Sequence, residues 1–242
     1  MNKPLPSLVP CPTLLSVNVL WLVTTMGGIF GWLHQQDTND ISNLSWGIVI
    51  PLLFFNNLNI FVCFCEIALG AYHSYILRDY QQMKDRYVTN RDEGLAFLDL
   101  ANMPIPWSRL FDPKLYCRMW ASYCFLDAGY HTCESFAFWI DVGNGYSTAP
   151  CCLLMNAAIA IPQHVSPLLV GCVCLATYWQ MVYGTLVYFT AYIWNKRYEN
   201  KPQAVCWGIV GTANMIWIVF PAIGMYACVS ILDKKDFSVL GY

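Results

Sequence analysis

Four stretches of the chain carry no Asp, Glu, Lys or Arg: between Lys3 and Asp37, Asp40 and Glu66, Asp141 and Lys196, and Lys201 and Asp233. A helix that crosses a bilayer needs about 20 mostly apolar residues. Each stretch is long enough for one crossing, and the third for two. Lipid-exposed spans must satisfy their own backbone hydrogen bonds, so they form helices or closed barrels. The short alternating strands of a barrel are missing from the pattern. The sequence therefore predicts an all-α integral membrane protein, a single membrane domain of about five transmembrane helices around an apolar cavity.

Composition closes the other routes. Of the 242 residues 57% are hydrophobic and 12% charged, against about 25% charged in a soluble domain. Aromatic residues reach 16%, which excludes disorder. A net charge of −2 without a basic patch argues against nucleic acid as a partner. Lys3 alone precedes the first apolar run and no small-residue cleavage pattern follows, so the first span reads as retained rather than as a signal peptide.

The spans fall near 14–34, 47–72, 119–141, 167–194 and 205–231. A further apolar stretch, 150–162, is short for a crossing and reads as a re-entrant helix or as an extension of span 3. Between them Gly143, Asn144, Gly145 and Pro150 have a turn-forming composition. The segment 73–118 is the main soluble loop, with a helix expected around 74–87. With five spans the N-terminus, 73–118 and 195–204 share a side, carrying one, seven and three Lys/Arg against two on the other side. The positive-inside rule makes that side cytoplasmic. Most of the twelve cysteines lie inside spans, where free cysteine behaves as a small apolar residue.

An ionisable side chain in the bilayer interior costs at least about 2.5 kcal/mol on insertion scales, and so marks function by default. Glu66 lies deep in span 2, with Asn59 seven residues earlier on the same helical face. Asp127, His131, Glu134 and Asp141 fall at i, i+4, i+7 and i+14, which on one helix makes an acidic and imidazole stripe facing a cavity. A neutral carboxyl group there can donate a proton and a histidine can relay it. In span 5 Asn214 and Trp217 share a face; indole is the best ring for stabilising a cation. No phosphate-binding loop, dinucleotide fingerprint or catalytic serine motif is present. No cofactor and no metal are expected. Proton donors and rings in an apolar cavity suit protonation of an alkene and steering of the resulting carbocation.

These motifs carry a family resemblance. MVYGTLVYFTAY followed by GTANMIWIVFPAI, the segment DAGYHTCE, and VCFCE in span 2 together resemble the emopamil-binding protein family of sterol Δ8–Δ7 isomerases, within the EXPERA group. The resemblance implies a sterol-sized cavity in the endoplasmic reticulum membrane. It implies proton transfer by Glu66 and Glu134, a cavity hydrogen bond from Asn214 and carbocation stabilisation by Trp217. Tyr183 and Asp127 follow as further cavity residues, and Tyr178 and Asn59 are counted with the substrate-binding set. The chain departs from the pattern at Val62, where the family has histidine, with His131 the candidate replacement. It departs again in an insertion before Tyr183 that includes DVGNGYSTAP.

Three functions compete. The first is a sterol or terpenoid double-bond isomerase. The second is a membrane terpene cyclase of the meroterpenoid type, using the same acid and rings. The third is a non-catalytic sterol-binding protein. The partners expected are the bilayer and an isoprenoid substrate. Oligomeric state stays open, a homodimer included.

Overall fold

The computed structural model describes residues 11–36, 43–88, 96, 99, 102–133 and 136–242. Among these the chain is helical, with one isolated bridge, Thr13 to Pro104, and no strand. The helices are α1 (Leu14–Gln36), α2 (Trp46–Ala71), α3 (His73–Val88), α4 (Pro113–Tyr123), α5 (Gly129–Thr132), α6 (Phe136–Ser147), α7 (Ala149–Ala160) and α8 (Pro167–Trp194), and then α9 (Thr212–Lys234), which a π-helical turn, Cys206–Gly211, leads into. Four segments are long and apolar enough to cross a membrane: α1, α2, α8 and Cys206–Lys234. The protein is an all-α membrane bundle.

The third crossing differs from the sequence reading. The expected helix over 119–141 does not form. Helix α4 starts at Pro113 behind Asp112, whose side chain accepts from the Lys114 backbone N–H at 3.0 Å. It stops at Tyr123. A turn follows, then α5, which ends at Cys133 in a left-handed conformation (φ 57°). The apolar path resumes in α6 and continues into α7. Thr148, between them, keeps the helical ladder: its N–H bonds the Asn144 carbonyl at 3.0 Å, and the Cys152 N–H bonds its own carbonyl at 3.2 Å. Residues 136–160 thus make one nearly continuous helical run. Gly143, Asn144 and Gly145 lie inside the helix rather than in a turn. Pro150 sits at the start of α7, where a missing N–H costs little.

Side-chain size explains the close packing. Without a hydrophobic force between helices in lipid, small residues let backbones approach. A Cβ on Gly224 would lie 2.5 Å from the Tyr178 ring, and one on Gly171 2.5 Å from Leu232. These glycines seat α9 against α8, the most extensively packed pair. Helix α1 is peripheral. It is tied in by its indoles, Trp21 donating to the Asn57 carbonyl at 2.8 Å and Trp32 to the Ala160 carbonyl at 3.1 Å.

The loops sort onto two ends. Ile105 N–H bonds the Pro12 carbonyl at 2.6 Å, which joins the chain before α1 to the loop before α4. Arg197, after α8, reaches Asp127, before α5. At the other end the Ser45 N–H bonds the Leu240 carbonyl at 2.9 Å, and the Tyr242 hydroxyl bonds the Ile159 carbonyl. The chain before α1, the loop before α4 and the segment after α8 thus lie toward one end, and the segment after α9 lies toward the other.

Candidate functional site

Between α2, α4, α6, α8 and the last crossing lies a cavity of about 180 Å³. Five rings line it: Trp120 and Tyr123 from α4, Tyr130 from α5, Tyr188 from α8 and Trp217 from α9. Two carboxyl groups open into it, Glu66 from α2 and Asp141 from α6. Asn144, Thr185 and Asn214 are the other polar lining residues.

Each acid is placed by a local feature. Glu66 is 3% exposed, and its Oε2 has no hydrogen-bond partner among the described residues. Helix α6 approaches it because residue 145 is glycine. A Cβ there would stand 2.9 Å from the Glu66 Cβ and 2.9 Å from the Ile67 backbone nitrogen. Asp141 accepts a hydrogen bond from the Tyr130 hydroxyl. The Tyr130 ring stacks on Trp120 at 5.3 Å and meets Tyr123 edge-on at 5.0 Å. The Tyr123 and Tyr188 hydroxyls lie 3.3 Å apart, and the Trp120 indole donates to the Cys65 carbonyl at 2.8 Å.

Trp217 is also fixed. Its indole N–H donates to Asn59 Oδ1 at 2.9 Å, and Asn59 Nδ2 donates to Thr148 Oγ1 at 2.9 Å. Asn59 thus orients a cavity ring without lining the cavity itself. Asn214 lines the wall, while its amide also donates to the Val210 carbonyl of its own helix at 2.7 Å. Val62 lines the cavity.

The structure brings Glu66, Asp141, Asn214 and Trp217 together, with Asn59 behind them. It does not assemble the stripe expected over 127–141, because those residues do not share a helix. Asp127 is fully buried and its two oxygens accept from Arg197 Nη1 at 2.9 and 2.8 Å, while Oδ1 also caps the Gly129 N–H at 2.8 Å. It is a structural ion pair outside the cavity wall. His131 stacks on Tyr80 at 5.1 Å and does not line the cavity. Burial holds its pKa below the ordinary imidazole value, and the charges of Lys84 and His73 act the same way. Glu134 lies outside the described residues. Tyr178 is buried elsewhere, its hydroxyl donating to Asn56 Oδ1 at 2.8 Å. Tyr183 is 52% exposed and stacks on Trp179 at 5.1 Å on the outer face of α8.

Sequence reasoning found Trp217 but missed the other four rings, Trp120, Tyr123, Tyr130 and Tyr188. Tyr188 belongs to the same YGTLVYF motif as Tyr183, five positions further along, but it and Gly184 face the cavity whereas Tyr183 faces out. Tyr130 lies within DAGYHTCE. Nothing in an aromatic-rich apolar sequence separates such rings from ordinary core.

No family model matches the chain, and neither a curated protein nor a solved structure does.

Proposed function

We propose that this protein is a cofactor-free membrane enzyme that protonates a C=C bond or an epoxide of an isoprenoid lipid and steers the carbocation that results. The observation that carries the reading is the pairing of two carboxyl groups, the buried Glu66 and the half-buried Asp141, with five aromatic rings in one cavity. A carboxyl group in a water-poor site can deliver a proton, and ring faces stabilise the positive charge that follows. Water kept out of the cavity protects the cation from premature capture.

Two reactions share this chemistry. The cavity volume, about 180 Å³, is below the roughly 300–1,000 Å³ common for small-molecule pockets. That favours a slender reacting end, such as the terminal epoxide or olefin of a polyprenyl chain, over a whole sterol nucleus. Rings spread along the walls also suit a cation that migrates as rings close. These features favour terpene cyclisation. Sterol double-bond isomerisation is the second reading, supported by Glu66, Asn214 and Trp217 at positions that resemble the emopamil-binding family. Under either reading the endoplasmic reticulum is the proposed location. The presence of two acids, Glu66 and Asp141, in one cavity weighs against a purely sterol-binding role.

The test is incubation of microsomes containing the protein with a terminal-epoxide polyprenyl substrate and, separately, with a Δ8-sterol in D₂O, read by mass spectrometry. A cyclised isomer of the epoxide supports the first reading. A Δ7-sterol carrying one deuterium supports the second. Failure of both, with the protein correctly folded, contradicts the proposal.

A further inference from the structure

The two carboxyl groups of the cavity are not equivalent. Asp141 receives a hydrogen bond from the Tyr130 hydroxyl, so that oxygen is held as an acceptor. Glu66 Oε2 is buried with no donor among the described residues. A buried charge without a partner is costly, whereas a neutral carboxyl group can turn its own O–H toward a substrate. We infer that Tyr130 is a positioning residue that fixes Asp141 as the terminating base, leaving Glu66 as the initiating acid. The inference rests on the carbocation reading above and assigns the direction of proton flow within it.

The steps balance without a co-reactant. The Glu66 O–H bond breaks and its proton joins an olefin carbon or an epoxide oxygen. The electrons of the π bond, or of the C–O bond that opens, are used and a carbocation is left. After migration or ring closure, an Asp141 oxygen takes a proton from a carbon next to the cation, and the electrons of that C–H bond become the new C=C bond. Asp141 is then protonated and Glu66 ionised. Return of one proton from Asp141 to Glu66 resets the site, and both groups line the same cavity.

Tyr130 earns its separate role from its surroundings. Its ring is clamped by Trp120 and Tyr123, and its backbone carbonyl lies 3.2 Å from His73 Nε2. Replacing it by phenylalanine removes the hydroxyl and keeps the ring.

The experiment compares Tyr130→Phe, Asp141→Asn and the double variant in microsomes, with the substrate that the wild type converts. General-base catalysis contributes about 10²–10⁴-fold. Tyr130→Phe is expected to lower kcat by about 10- to 100-fold with KM within about threefold, and to raise the share of products whose cation is quenched by water or loses a different proton. Asp141→Asn shifts products the same way by a larger factor. The double variant is no worse than Asp141→Asn, since Tyr130 acts through Asp141. Wild-type rate and products in Tyr130→Phe, or effects that multiply in the double variant, overturn the inference while leaving the proposed function standing. If Tyr130→Phe does not accumulate, infrared spectroscopy of the purified wild type and the two acid variants decides the assignment. The protonated-carboxyl stretch is expected to vanish in Glu66→Gln and persist in Asp141→Asn; the reverse overturns it. A wild type inert toward both substrate classes contradicts the proposed function itself.

Discussion

The interface of α2 with the third crossing contains two groups of buried polar side chains, and they are treated differently. At one level Asn56 accepts from Tyr178 at 2.8 Å and donates to Asn156 at 3.0 Å, and Asn57 donates to the Leu53 carbonyl at 2.7 Å. Asn59, one turn on, is held between Thr148 and Trp217. At the other level Glu66 sits with an oxygen that nothing among the described residues satisfies. Both levels are buried in the same helix pair. The asparagines carry interhelical hydrogen bonds, the usual glue of membrane helices. A bare buried oxygen instead costs stability and so points to a task beyond holding the helices together.

The most forceful way to break this contrast is to substitute both levels. Glu66→Gln is expected to lower turnover by about 10²–10⁴-fold, the range for loss of a general acid, while the protein accumulates and melts like the wild type. Next in size is a test of a satisfied charge. Asp127→Ala removes the fully buried member of the pair and leaves the half-buried Arg197 without its partner. Breaking one member of such a pair costs about 3–5 kcal/mol, so thermal unfolding in detergent should show a large loss of stability, partly rescued by Asp127→Asn. Smaller is the packing test. Gly145→Ala places a methyl against Glu66 and the α2 backbone, and overpacking of this kind costs about 1–3 kcal/mol. Activity should fall beyond what the loss of folded protein explains, because the acid itself is displaced. Asn156→Leu removes two satisfied bonds, one accepted from Asn56 and one donated to Asn57, each worth about 0.6–2 kcal/mol in membranes, and should leave the products unchanged.

The smallest effect sharpens the contrast at the surface. The Arg109 guanidinium and the Lys114 N–H hold the Asp112 carboxyl below its ordinary pKa. Such a group stabilises the fold above its unfolded pKa and loses that contribution as pH falls through its folded value. Asp112→Ala should cost about 1 kcal/mol as the loss of a helix cap, measured above neutral pH, and the difference from wild type should shrink in acid.

Much of this arrangement was legible in the sequence because charge in an apolar run is conspicuous. Glu66 stood alone in its span, and Asn214 and Trp217 shared a face that the structure turns to the cavity. Asp141 was legible as an intramembrane acid but was assigned to a helix that does not form. The error came from partners distant in sequence. Asp127 reads as a catalytic stripe member until Arg197, 70 residues on, is seen to claim it. Gly143, Asn144 and Gly145 read as a turn because glycine serves both turns and close packing, and only the neighbouring helix decides between them. Tyr130 and Tyr188 gave no signal at all, since an aromatic residue in a membrane sequence is ordinary until its hydroxyl is found against a carboxylate or a cavity.

The central claim, that the unsatisfied Glu66 is there for chemistry and the satisfied asparagines for structure, is tested most directly by one comparison. Microsomes containing wild type, Glu66→Gln or Asn156→Leu at matched levels of folded protein are given the terminal-epoxide polyprenyl substrate and the Δ8-sterol, and products are counted by mass spectrometry. The account predicts conversion of one substrate class by wild type and by Asn156→Leu, and none above background by Glu66→Gln. Conversion by Glu66→Gln at the wild-type rate would contradict it.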